Sequence, residues 1–328
     1  MYQNILNLPV ILENIFKYLP KDHLEKLIED QQFGPTAILA IWKYKVHTID
    51  GKFLPSLNLK IRNLKIVVIN PGPEFSFELR KLTALRSLII KSARLNPNDV
   101  VAIAKLTNLL NLSLPGNLRE CDTSEIAKIN NLQSLDISNN YLKPDKILAI
   151  SQMSNLRSLN LIHNSYPIDI TKIYEMSNLT ILKISKNDLT YNDIIIISKM
   201  SNLMILDISK NNLGLRESVE ISKMSNLRIL NIEINKLGFE GATELSKMTN
   251  LRSLNISSNY LGHEGAAEMS KMGNLRSLDI SWNILRYQGV VKISKMTNLR
   301  TLNITYNGLE SDGKAEITKM SWLTKLYI

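Results

Sequence analysis

The residues of this chain that could perform catalysis or bind a metal are few and widely spaced. It has four histidines and one cysteine. His23, His47, His163 and His263 lack the short paired spacing that zinc sites use, and no glycine-rich phosphate loop accompanies them. The sequence therefore predicts a chain that is not an enzyme, with no catalytic residue, no metal site and no cofactor. Cys121 is expected to be structural.

Most of the sequence is organised as an internal repeat. One leucine recurs at intervals of 23 or 24 residues, and this regularity predicts a repeat architecture. The recurring leucines are Leu85, Leu109, Leu132, Leu156, Leu179, Leu203, Leu227, Leu251, Leu275, Leu299 and Leu323.

Each repeat is predicted to be a strand, a turn and a helix. In one unit Leu254 and Ile256 alternate with polar residues, as in a strand with one buried face. The stretch from Glu264 to Met272 is predicted to be helical. A single unit cannot bury its apolar face, so the units are expected to stack, with a curved parallel sheet inside and helices outside.

Two further columns are predicted to belong to this scaffold. Asparagines such as Asn259 and Asn283 recur where the chain leaves the strand, and their amides can bond backbone groups in the turn. Methionines such as Met248 and Met272 recur at the helix ends, where a flexible side chain fills the gap between units. We therefore expect both columns to be buried.

Polar and aromatic side chains are expected on the inner, concave surface, where a protein partner would bind. Trp282 and Tyr306 are predicted to lie side by side on adjacent strands, with Asp279 and Asn303 beside them. Exposed Trp and Tyr make good anchors for a partner. A cross-strand contact that only stabilises the sheet is the alternative. The predicted target-binding residues are Asp207, Asn231, Asn255, Asp279, Trp282, Asn303 and Tyr306.

Basic side chains also form two ladders, and the chain carries a net charge of +10. Such ladders can track phosphates, but they also arise whenever a solvated position is repeated, and aromatic residues do not interleave with them. Nucleic acid is therefore a disfavoured partner. The ladders are Arg157, Arg228, Arg252, Arg276 and Arg300, and Lys199, Lys223, Lys247, Lys271, Lys295 and Lys319.

The repeat from Leu251 to Asn274 resembles the leucine-rich repeats of the ribonuclease-inhibitor-like kind. The resemblance covers residues 85–328 and implies an α/β leucine-rich-repeat solenoid. Segments 237–242 and 261–266 are similar to the GALA repeats of bacterial effectors that also carry an F-box. Such a resemblance implies a module that recognises other proteins.

The N-terminal segment has the periodicity of two short helices. Apolar residues at helical spacing lie between Pro9 and Pro20, and Asp22 with Glu25 resembles a second helix start. The run from Leu8 to Leu24 resembles the first half of an F-box, a family in which these positions dock onto the adaptor Skp1. The implied adaptor-binding residues are Leu8, Pro9, Leu12, Ile15, Phe16 and Leu19.

The sequence leaves two functions open, and the role of the two N-terminal helices decides between them. With an F-box-like module, the chain would be the substrate receptor of a Skp1-type ubiquitin ligase, and the repeats would bind the target. Because residues 29–40 depart from the F-box pattern, a stand-alone scaffold or inhibitor whose helices only cap the solenoid is the alternative. The predicted divisions are 1–50 for the module or cap, 51–84 for a divergent first repeat and connector, and 85–328 for the repeats.

The predicted compartment is the cytoplasm, or a host cytosol if the chain is a secreted effector. A single cysteine fits a reducing compartment. The N-terminus lacks a basic region ahead of an apolar run, as a signal peptide would have, and no membrane span is visible in the sequence.

Overall fold

The computed structural model describes residues 47–50, 62–67, 74–91, 94–118, 123–164 and 168–328. These residues form two compact units. The first comprises the described residues up to 140 together with 148–156, and the second comprises 141–147 and 157–328. The helices predicted near the N-terminus lie outside the described residues.

The first unit contains parallel strands that follow one another in chain order. Each strand pairs in register with the next, and the described helices of this unit follow the second, third and fourth strands. Strands β1 and β2 precede the first recurring leucine, Leu85. The strands are β1 (His47–Asp50), β2 (Asn63–Val67), β3 (Ser87–Lys91), β4 (Asn111–Ser113) and β5 (Ser134–Asp136), and the helices are α1 (Phe75–Leu79), α2 (Pro97–Ala104) and α3 (Ser124–Ala127). Helix α4 (Pro144–Ser151) has residues in both units.

The second unit has the same order of elements with greater regularity. Its strands are all parallel and pair with their neighbours in sequence. The strands are β6 (Ser158–Asn160), β7 (Ile181–Lys183), β8 (Ile205–Asp207), β9 (Ile229–Asn231), β10 (Ser253–Asn255), β11 (Ser277–Asp279), β12 (Thr301–Asn303) and β13 (Lys325–Tyr327). The helices are α5 (Ile170–Tyr174), α6 (Tyr191–Ser198), α7 (Leu215–Ile221), α8 (Gly238–Leu245), α9 (Gly262–Met269), α10 (Arg286–Ile293) and α11 (Ser311–Thr318).

The repeated leucines form the core between sheet and helices. Leu254 stands in register with Leu230 on one side and Leu278 on the other, and all three are buried. Their strand neighbours Ser253 and Asn255 are partly exposed, which confirms the predicted alternation. Burying one leucine side chain contributes about 2 kcal/mol, so the repetition of this one position stabilises the whole stack.

The helices lie slightly earlier in the repeat than the sequence predicted. Helix α9 begins at Gly262 and ends at Met269, whereas the expected span was from Glu264 to Met272. Met272 is buried, as predicted, but it follows the helix instead of ending it. The helix starts early because the backbone N–H of Gly265 already donates to the carbonyl of Leu261 at 3.0 Å.

Close helix packing in the second unit depends on small residues. A Cβ atom on Gly265 would lie 2.7 Å from the Cβ of Leu261 and 3.5 Å from that of Ala242 in the preceding repeat. Gly241 and Gly289 occupy the same position in α8 and α10 and are equally crowded. The glycine therefore leaves room chiefly for the leucine that precedes its own helix, and an added Cβ would fill the remaining space against the preceding helix.

The helices that the structure describes are too short and too polar to span a membrane.

Candidate functional site

Polar residues end the central strands of the second unit and form one continuous row. Each is the last residue of its strand and is paired in register with its neighbours, so the predicted inner column is brought together. The row, called here the strand-end row, consists of Asp207, Asn231, Asn255, Asp279 and Asn303. Tyr327, which the sequence analysis did not select, extends it beside Asn303 and is half exposed.

Each member of the strand-end row also helps to build the turn that follows it. The Oδ1 atom of Asp279 accepts hydrogen bonds from the backbone N–H of Ser281 at 3.1 Å and from its hydroxyl at 2.6 Å. Asp207 and Ser209 make the same pair of bonds. These residues therefore have a local structural role in addition to any contact with a partner.

Two hydrogen-bonded groups connect neighbouring repeats along this row. The Nδ2 of Asn303 donates to Oδ2 of Asp279 at 2.8 Å. The Nδ2 of Asn255 donates to Oε2 of Glu233 at 2.8 Å, and Lys210 lies 3.4 Å from the other carboxylate oxygen of Glu233. Lateral bonds of this kind limit the rotamers of the polar side chains that face solvent.

A ladder of buried asparagines holds the turns in place. The Nδ2 of Asn283 donates to the carbonyls of Ile256 and Ile280, and its Oδ1 accepts from the backbone N–H of Asn259 at 2.9 Å and of Leu261 at 3.3 Å. One amide therefore joins two consecutive repeats, and the prediction that this column belongs to the scaffold is confirmed. Neighbouring members such as Asn211 and Asn307 bond in the same pattern.

Immediately before each buried asparagine stands a residue with a left-handed backbone. These residues, called here the turn column, have φ between 52° and 57°. Backbone bonds keep neighbours in register, as in the bond from Ser258 N to Ser281 O at 3.0 Å. The turn column consists of His163, Lys186, Lys210, Ile234, Ser258, Trp282 and Tyr306.

The two aromatic anchors belong to this column and therefore lie in turns. The sequence analysis placed Trp282 and Tyr306 on adjacent strands, and that placement is wrong, since each follows the last residue of its strand by three positions. The reason is that the strands are short and the chain turns immediately after them. Their predicted proximity is nevertheless observed, because successive turns are in register.

The two rings stack on each other and stay accessible. Their centroids are 4.2 Å apart and their planes are inclined by 20°. Trp282 is 57% exposed and Tyr306 is 69% exposed. The pair thus presents a rigid apolar surface that two side chains hold in place before any partner arrives.

A second group of exposed apolar side chains lies next to the stacked pair. Tyr260 and Ile284 each follow a buried asparagine, have a left-handed backbone, and are 70% and 57% exposed. Sequence reasoning missed them. The equivalent positions in other repeats hold Asn212 and Gly308, residue types that favour this conformation, and that pattern could have identified the turn.

The basic ladders are engaged in local contacts. Four of the lysines form ion pairs of 2.6–2.7 Å with a glutamate three residues earlier, as Lys247 does with Glu244. The guanidinium groups of Arg276 and Arg300 donate to backbone carbonyls. The ion pairs offset the charge of those four lysines, whereas the carbonyl bonds fix the orientation of the two arginines and leave their charge unchanged.

Among the described residues, no group of three His, Cys, Asp or Glu side chains could hold a metal ion. His163 contacts the ring of Tyr141, with centroids 6.0 Å apart. The adaptor-binding residues Leu8, Pro9, Leu12, Ile15, Phe16 and Leu19 lie outside the part of the chain that the structure describes.

Family models identify the repeats. A leucine-rich-repeat model matches residues 131–153, and a second leucine-rich-repeat model matches residues 247–270, 273–294 and 295–314. These segments are leucine-rich repeats. Among curated proteins, none matches the chain.

Solved structures share the fold. An internalin from Listeria monocytogenes is 20% identical, with a TM-score of 0.60, and the match covers 97% of this chain and 97% of that one. A chain of the mouse RP105/MD-1 complex is 16% identical, with a TM-score of 0.56, over 87% of this chain and 53% of that one. At these identities the similarity establishes the leucine-rich-repeat solenoid fold.

Proposed function

We propose that this chain is a protein-binding scaffold and not an enzyme, and that it holds its partner on the strand-end row and turn column of the second unit. The observation that carries the proposal is the stacked and exposed pair of Trp282 and Tyr306 beside Asp279 and Asn303. Aromatic side chains held rigid next to polar groups are typical of binding hot spots. One of the structural neighbours is a chain of the mouse RP105/MD-1 complex.

The backbone conformation of this surface supports the proposal. A left-handed backbone costs an L-residue roughly 1–2 kcal/mol, and a β-branched residue such as Ile234 or Ile284 is unusual there. Asparagine or glycine would relieve the cost, as Asn212 and Gly308 do at the position of Ile284 in other repeats. Bulky apolar residues that are both strained and exposed add little to the stability of the folded chain. Contact with a partner would offset the cost of their backbone conformation.

The test is quantitative affinity capture with matched variants. The bait is the full chain, compared with a Trp282→Ala plus Tyr306→Ala variant and with Tyr174→Ala as the control. Tyr174 is also about half exposed but ends helix α5, away from the turns. Circular dichroism first confirms that all three are folded.

We expect the wild type and the Tyr174 variant to retain the same protein in equal amounts. The aromatic double variant should retain at least tenfold less of it. The retained protein is then purified, and its binding is measured directly. Equal retention by all three baits would contradict the proposed surface.

A narrower version of the proposal assigns the chain to a Skp1-type ubiquitin ligase, as a cytoplasmic substrate receptor. It rests on the F-box resemblance of the run from Leu8 to Leu24. Purified Skp1 would be captured by the intact chain and lost with a Leu12→Asp plus Phe16→Asp variant of equal helical content. If the intact chain does not capture Skp1, the N-terminal segment is assigned to capping, and the scaffold proposal stands alone.

A further inference from the structure

The turn column contains a gap beside the stacked aromatic pair. Ser258 lies between Ile234 and Trp282, and backbone bonds from Ile234 N to Ser257 O and from Ser258 N to Ser281 O keep the three turns in register. Two strand spacings of ~4.8 Å put the walls of this gap about 9.6 Å apart. A planar group in contact with both walls needs roughly 7 Å, so the gap, here called the Ser258 slot, accepts one such group.

The walls of the Ser258 slot are apolar and accessible. Tyr306 stacks on one face of Trp282, so the other face is directed toward the small side chain of Ser258. Ile234 forms the opposite wall and is 49% exposed. Tyr260, two residues after Ser258, is 70% exposed. A flat group can therefore lie against the indole without displacing any large side chain.

The charges on the strand side of the slot favour a cation. Asp279, in the same repeat as Trp282, accepts hydrogen bonds from the neutral groups of Ser281 and Asn303, so its negative charge is not offset by them. Glu233, next to Ile234, is bonded to Asn255 and paired with Lys210. The slot thus has an apolar aromatic wall and a carboxylate at the same end.

We propose that the Ser258 slot receives an arginine side chain of a partner polypeptide, its guanidinium stacked on the free face of Trp282 and bonded to Asp279. The proposal rests on the proposed function and specifies the partner's chemistry. A guanidinium is planar, stacks on aromatic faces and has several N–H donors, one of which can bond the acceptor site that Asn303 leaves free on Oδ2 of Asp279, whereas a lysine ammonium offers no flat surface. Lys210 stays with Glu233 on the opposite side of the slot.

The probe is a displayed library of random seven-residue peptides, selected on the full chain and counter-selected on the Trp282→Ala variant. Selected peptides are expected to be enriched at least fivefold in arginine over the input library. Replacing that arginine with citrulline, which is isosteric and neutral, is expected to weaken binding at least tenfold. Asp279→Asn should weaken the arginine peptide about fivefold and leave the weak binding of the citrulline peptide unchanged.

A slot-filling variant provides the structural control. Ser258→Ile introduces a residue that the same column already carries at Ile234, so the fold is expected to tolerate it. It should abolish peptide binding while the thermal midpoint stays within a few degrees. An unchanged affinity in Ser258→Ile would overturn the slot.

The outcomes separate this inference from the proposed function. Peptides that depend on Trp282 but show no enrichment in arginine, or that bind equally well with citrulline, refute the arginine slot and leave the binding surface in place. If selection yields no peptide that depends on Trp282, the arginine slot is refuted, and the affinity-capture comparison decides separately whether the proposed binding surface stands.

Discussion

Two positions of the same turn, one residue apart in the sequence, differ in almost every respect. The buried position is an asparagine in repeat after repeat, and its amide bonds the backbone on both sides. The turn column just before it varies from lysine to isoleucine to tryptophan and faces solvent. The residue type at the buried position is fixed because its side chain must hydrogen-bond the surrounding backbone groups. The residue type at the exposed position is not constrained in this way and can vary with the partner.

This contrast explains why a repeat protein can change its specificity without losing its fold. The shared columns of leucine, asparagine and helix glycine supply the stability, and each repeat contributes a similar amount. The turn column rests on that scaffold and makes few contacts of its own beyond the ring stack of Trp282 and Tyr306. Substitutions in the two kinds of column should therefore separate stability from binding.

The largest effect on stability is expected from Asn283→Ala. The change leaves the backbone N–H groups of Asn259 and Leu261 and the carbonyl of Ile256 without this partner. Each buried and unpaired group costs about 1–3 kcal/mol, so the free energy of unfolding should fall by roughly 3–5 kcal/mol. Urea denaturation followed by circular dichroism measures it.

The matched control is Asn274→Ala. Asn274 is exposed and donates one hydrogen bond, to the carbonyl of Thr249 at 2.8 Å, so its loss should cost about 1 kcal/mol. Equal losses in the two variants would show that the buried ladder has no special structural role.

The next largest effect is expected from Gly265→Ala. The new methyl group would lie 2.7 Å from the Cβ of Leu261, so α9 must shift, at a cost of about 1–3 kcal/mol. Gly273→Ala is the control, because no atom lies within 4 Å of the Cβ it adds, and stability should stay the same or rise by up to ~1 kcal/mol. Thermal unfolding compares the two, and a neutral Gly265→Ala would refute the close-packing account.

A smaller effect is expected for the aromatic pair. A double-mutant cycle of Trp282→Ala and Tyr306→Ala should give a coupling energy of about 0.5–1.5 kcal/mol, as for other stacked pairs. Denaturant unfolding of the four proteins measures it. A coupling above ~3 kcal/mol would favour the alternative that the pair exists to stabilise the sheet.

The smallest effect, a gain in stability, is expected from Ile284→Asn. Asparagine adopts the left-handed backbone more readily than isoleucine, and Ile284 is exposed, so the free energy of unfolding should rise by up to ~1 kcal/mol. The thermal midpoint reports the change. A clear loss of stability would mean that Ile284 packs within the fold and is not a contact residue.

Most of the scaffold could be predicted from the sequence, because its cause is local and repeated. The leucine spacing predicted the parallel strands, and the asparagine and methionine columns were correctly expected to be buried. Helix bounds were less accurate, since the early start of α9 depends on the backbone hydrogen bond from Gly265 to Leu261. No side-chain pattern specifies that bond directly.

The site was predictable in composition but not in geometry. The sequence brought Trp282 and Tyr306 together, yet it placed them on strands, because the alternation does not reveal where a three-residue strand ends. The exposure of Tyr260 and the bond between Asn255 and Glu233 depend on how neighbouring turns are aligned. A single repeat does not contain that information.

The most direct test of the central claim is the dissociation constant of a purified partner, measured by isothermal titration calorimetry with one turn-column variant and one exposed control variant outside that column. The account predicts that Trp282→Ala weakens binding at least tenfold with little loss of stability, while Asn274→Ala leaves the dissociation constant unchanged. Unchanged binding by a folded Trp282→Ala variant would contradict the claim that the turn column holds the partner.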